Sequence, residues 1–201
     1  MSPKPRIDDE ALISAALDEF GRHSFEEASI NTIIQHAGIS KGSFYYRFET
    51  KYALYLHLLL TGVRRKWEYI SERLPARQTA TNIFDEFLSQ ADLGIQFATE
   101  HPEYHRLSAM FTREKGTKVY DDALRDLGQQ DPSGIVDRLR SARRQGEIRP
   151  EYSDEFVERV VPRLFAMFDQ VFFAEEEWDL QTARDRLHEY VELLRHGLVG
   201  G

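Results

Sequence analysis

The chain has no cysteine. It therefore holds neither a disulfide framework nor a thiolate zinc site, and it suits a reducing compartment. No stretch approaches the roughly eighteen apolar residues in a row that a membrane-spanning helix needs. The opening MSPKPRIDDE lacks the apolar centre of a secretory signal. A cytoplasmic location without a membrane partner is the expectation. Alternating apolar and polar runs are missing too, which argues against half-buried strands. There is no G-x-S-x-G, H-E-x-x-H, P-loop or G-x-G-x-x-G, so neither catalysis nor a cofactor is expected. His101 and His105 stand four apart, but Pro102 between them marks a helix start, and no metal site is expected there.

Apolar material is plentiful. An apolar fraction of 41%, with thirteen phenylalanines in 201 residues, is enough to build a core. Net charge is −8, and its distribution is uneven. From Ser29 to Lys66, six cations (Lys41, Arg47, Lys51, Arg64, Arg65, Lys66) face one acid, Glu49, for +5, so the other residues carry −13. A basic segment on an acidic body points to an anionic partner for that segment alone.

The apolar spacing reads as helix throughout. Helices are expected over about 8–22, 30–37, 41–48, 51–73, 81–99, from Pro102 onward, and over 133–145, 153–174 and 180–198, with a further short one between Gly116 and Pro132. Ser29 is placed to cap the helix it precedes, and Gly38 to end it in the left-handed conformation. No Gly/Ser linker interrupts the chain. The fold class is all-α, with about nine helices or more.

The stretch GISKGSFYYRF, from Gly38 to Phe48, carries the chemistry. Two short helices around AGIS make a helix-turn-helix. With Ser40 as N-cap, Ile39 and Phe44 occupy the positions of a hydrophobic staple, and Phe44 and Phe48 share the inner face. Gly42, Tyr45 and Tyr46 then fall on the outer face, with Ser43 at its edge. A bare backbone beside a hydroxyl suits close approach to a DNA groove, and tyrosine hydroxyls can bond phosphates. An amphipathic surface helix with solvated tyrosines gives the same spacing. Lys41 and Lys51 tip the balance: each opens a helix, where the dipole disfavours a cation by roughly 0.3–1 kcal/mol. Bound phosphates would complete both positions.

AGISKGSFYYRF followed by ETKYAL, with Phe20, Phe25, Ser29, Ile30 and Ile33 upstream, resembles the DNA-binding domain of the tetracycline-repressor (TetR) family. Ser24, Ile34 and Tyr52 depart from its usual Gly, Ala and Glu, away from the recognition face. The resemblance implies a helix-turn-helix domain over 6–66, joined through the fourth helix to a ligand-binding and dimerisation domain over 67–201. It implies that Lys41, Gly42 and Ser43 lie near base edges, and that Thr32, Ser40, Tyr45, Tyr46 and Lys51 hold the backbone of double-stranded DNA. It further implies a homodimer on a palindromic operator, a small-molecule effector, and a repressor; an activator or a ligand-independent DNA binder is the alternative.

The second domain gives less. VVPRLFAMFDQVFF, from Val160 to Phe173, is apolar on almost every side and has to be covered on more than one face. Leu187, Val191, Leu194 and Leu198 form a seam. Together with Val160, Leu164 and Val171 they are expected at a four-helix dimer interface. Aromatic supply suggests an apolar pocket lined by Trp67, Phe87, Phe111, Phe165, Phe168 and Phe172. Asp169 within the apolar run either pairs with an arginine or meets a ligand.

Overall fold

A computed structural model describes residues 9–74, 82–128, 134–172 and 180–198; for residues 165–172 it describes the helical backbone alone. All regular structure among these residues is helical: α1 Asp9–Arg22, α2 Ile30–Ala37, α3 Lys41–Arg47, α4 Lys51–Arg73, α5 Ile83–Glu100, α6 Pro102–Arg113, α7 Lys118–Leu127, α8 Ile135–Arg144, α9 Asp154–Phe172 and α10 Leu180–Leu198. The short helix expected after Gly116 is α7, capped by Thr117, whose side chain accepts the Tyr120 N–H. The helices sort into two compact units, Met1–Arg64 with His101–Gln130 and Arg65–Glu100 with Asp131–Gly201. By packing, then, α6 and α7 join the N-terminal helices. The functional division near residue 66 remains a proposal.

In the first unit α1 packs against α2 and α6. Its apolar stripe, Leu12, Ala16 and Phe20, is wholly buried, and Ile33, Phe44, Leu54, Tyr55, Leu58 and Leu107 complete the core. Burying each of the larger side chains contributes about 1.5–3 kcal/mol. α4 and α6 come so close that a Cβ added at Gly62 would stand 2.9 Å from Cδ1 of Tyr104. The Tyr52 hydroxyl donates to Asp126 at 2.7 Å, tying α4 to α7. Burial, followed by that bond, pushes the Tyr52 phenol up to about 12.

In the second unit Ile83, Phe84 and Phe87 of α5 meet Leu139 and Ala142 of α8, Val157 and Val161 of α9 and Val191 of α10. Arg138 pairs with Glu86 at 2.8 Å and Arg195 with Asp85 at 2.6 Å, so α8 and α10 are both clipped to α5. Ser153 caps α9 by accepting the Phe156 N–H at 3.2 Å. That helix runs on through Pro162, which has no N–H to give the carbonyl four residues back.

The α10 seam faces the other way from the sequence expectation. Val191 is fully buried, and Leu187 and Leu194 pack against the same cluster. These three residues belong to the core of the unit rather than to a subunit interface, because the apolar face of α5 covers them. Val160 and Leu164 are half-buried. Val171 and Leu198 lie outside the described side chains.

Candidate nucleic-acid interface

The helix-turn-helix is built from short-range chemistry. Ser29 caps α2, its hydroxyl accepting the Thr32 N–H at 3.3 Å. Gly38 ends that helix at φ 65°, where a side chain would be strained, and its N–H reaches the carbonyls of Gln35 and Ile34. Ser40 caps α3, accepting the Ser43 N–H at 3.0 Å. Its hydroxyl also shares a hydrogen bond with that of Ser43 at 2.8 Å.

These caps fix the rotation of α3. Phe44 and Phe48 point inward, 0% and 7% exposed, while Tyr45 and Tyr46 point outward at 46% and 79%. A Cβ at Gly42 would meet only Ser40 Oγ, at 3.8 Å, so the backbone there is open to an approaching surface. Lys41 is exposed, and among the described residues its amine meets the Tyr45 ring alone, at 6.0 Å. Thr32 is half-buried on α2. Lys41, Gly42, Ser43, Tyr45 and Tyr46 therefore gather on one outward face, with Ser40 serving first as a cap.

Lys51 is different. Its amine donates to the carbonyls of Glu26 and Ala28 at 3.2 and 3.1 Å and lies 4.6 Å from the Phe25 ring centre. A cation at the start of α4 thus has its partners within the fold, and the sequence argument that a phosphate must complete this position loses its ground. Two buried carboxylates escaped the sequence reading: Glu19 and Glu114, 8% and 5% exposed. Glu19 stands seven residues after Leu12 on the apolar stripe, and an acid at a core-facing position was the available signal. Glu114 follows the end of α6 and offers no comparable pattern.

The residues expected at a ligand pocket divide. Trp67 is half-buried and Phe87 is packed edge-on to Phe84 at 6.1 Å in the second unit. Phe111 stacks on Tyr120 at 4.7 Å in the first. Phe87 and Phe111 are accounted for by packing. Phe165, Phe168, Asp169 and Phe172 lie outside the described side chains.

Residues 12–58 match the family model described as bacterial regulatory proteins, tetR family. No curated protein matches the chain in sequence. Among solved structures, the chain is similar to a TetR family transcriptional regulator from Chloroflexus aurantiacus J-10-FL, with TM-score 0.63 and 21% identity over 96% of this chain and 93% of that one. TylP, a TetR regulator from Streptomyces fradiae, gives TM-score 0.63 and 18% identity over 95% and 86%. The fatty acid degradation regulator FadR from Bacillus halodurans gives 0.64 and 16% over 94% and 98%. The likeness of fold therefore runs the length of both units.

Proposed function

We propose that this chain, a TetR-type transcriptional regulator by its DNA-binding domain and its fold, is a cytoplasmic repressor. It grips an inverted-repeat operator as a homodimer and releases it when a small hydrophobic or aromatic molecule enters the C-terminal domain. The observation that carries the reading is the rotation of α3, which buries Phe44 and Phe48 and leaves Gly42, Tyr45 and Tyr46 outward. Lys41, Gly42 and Ser43 face base edges, and Thr32, Ser40, Tyr45 and Tyr46 face phosphates. Lys51 is left out because its amine is occupied.

The homodimer uses the outward side of α9 and α10. Val160 and Leu164 are half-buried there, Phe156 is 39% exposed and Leu193 is 68% exposed. Two such helices from each protomer form a four-helix interface. The effector is held by Trp67 and the aromatic run of α9. Its release of DNA requires different affinity for the two states of the protein, because equal affinity shifts nothing.

The experiment is selection of duplexes from a random-sequence pool, followed by sedimentation of the chain with the winner. The expected result is two inverted half-sites bound by one dimer. Enrichment of no sequence, or of a single unrepeated site by a monomer, contradicts the reading.

A further inference from the structure

Side chains from three helices converge on the turn between α1 and α2. Glu19 of α1 accepts the Ser29 N–H at 2.7 Å. Lys51 of α4 holds the carbonyls of Glu26 and Ala28. Glu114, the C-cap of α6, accepts the Phe25 N–H, its partner 89 residues earlier in the chain. The Phe25 ring is enclosed as well: it lies 5.1 Å from that of Tyr55 and 6.3 Å from those of Phe20 and Tyr52.

Glu114 stands out among these groups. It is 5% exposed, beside the buried Tyr55. The Tyr55 phenol is pushed up by burial and then by the charge of Glu114. A carboxylate in such surroundings is costly unless it is bonded. Its bond to Phe25 is the point at which α6 takes hold of the segment that leads into α2 and on to α3. The other oxygen of Glu114 is 3.5 Å from Thr117 Oγ1, the N-cap of α7. One side chain therefore touches the end of α6, the start of α7 and the entry to the helix-turn-helix, all within the first unit.

The geometry points to Glu114 as a positioning residue for sequence recognition: by anchoring Phe25, it sets where α2 and α3 sit relative to α6. It touches no DNA, and the inference rests on the proposed reading of α3. A group that positions a reading helix affects binding to the preferred sequence more than binding to arbitrary duplex, because phosphate contacts carry no sequence information.

The probes are a duplex selected from a random pool by the unmodified chain and a random-sequence duplex of equal length. The quantity read is the ratio of the two affinities. Glu114→Gln keeps a carbonyl acceptor in the same volume, and its ratio should stay within about twofold of the unmodified chain, because the Phe25 bond survives. Glu114→Leu fills the space without an acceptor, and the ratio should fall about tenfold or more, the scale of a lost base contact. Its far-UV helicity and its affinity for the random duplex should be retained. Glu114→Asp draws the carboxylate back by one methylene and keeps its charge. Its ratio should fall about threefold or more with helicity retained, again on the scale of a weakened base contact, and it decides the matter if the leucine variant does not fold. An unchanged ratio in the aspartate variant, or equal losses on both duplexes, overturns the assignment. Failure of the unmodified chain to select any duplex overturns the reading of α3 as well.

Discussion

The first turns of α3 and α4 make an instructive pair. Each helix begins with a lysine, at a position where the dipole disfavours a cation. At α4 the amine of Lys51 is spent on two carbonyls and an aromatic face. At α3 the amine of Lys41 projects from the surface beside a bare glycine and two exposed tyrosines. One residue type in one helical position thus serves the fold in the first case and is left for a partner in the second. Sequence position alone does not separate them; what lies across the gap does.

The largest way to break this contrast is to remove what orients α3. Phe44 is fully buried, and Phe44→Ala should cost about 3–5 kcal/mol in urea-induced unfolding. Binding of the selected duplex should be lost with it, since the outward face then has no fixed direction. Retained binding would mean that the caps alone hold the helix.

Lys51→Ala should come next. It deletes two charge-assisted hydrogen bonds from a partly buried site and should cost about 1–2 kcal/mol. The melting temperature should drop by about 2–8 °C, as expected for a chain of this size. At temperatures where the variant is folded, the salt dependence of DNA binding should be unchanged. A shallower dependence with an unchanged melt would return Lys51 to the DNA.

A smaller effect follows pH. His57 of α4 lies against Phe48, ring centres 5.3 Å apart, and burial, then Arg47 and Arg64, holds its imidazole below its ordinary 6.5. The unfolded chain therefore binds this proton at a higher pH than the folded chain does. Between the two values stability rises with pH, and it is lost as pH falls below about 6.5. Urea midpoints measured at pH 7.5 and pH 5.5 should differ in that sense, and His57→Phe should reduce the difference. An identical difference in the variant would assign it to other groups.

The contrast also explains which parts of the molecule were legible in the sequence. Ser29, Gly38 and Ser40 act on groups two to four residues away, so their roles follow from local spacing, and with them the rotation of α3. The seam of α10 was legible as an apolar face, but periodicity does not say what covers that face. Here α5 covers Val191, where a second copy had been expected. Glu114 and Phe25 are 89 residues apart, and the cations at the starts of α3 and α4 differ only in neighbours brought by tertiary structure. The domain match over 12–58 rests on the locally encoded part.

The central claim is that Lys41, unlike Lys51, is reserved for DNA. Its most direct test is a salt titration of binding to the selected duplex by the unmodified chain and by Lys41→Ala, beside a thermal melt. A dimer that loses one phosphate contact per half-site should show a log–log slope shallower by roughly 1.8, at about 0.9 per neutralised phosphate. The melting temperature should be unchanged or slightly raised, since a cation has been taken from the positive end of a helix. If Lys41 instead reads a base edge, the affinity for the selected duplex should fall with little change in slope, which keeps the claim and reassigns the contact. An unchanged slope and affinity, or a clear drop in melting temperature, would contradict it.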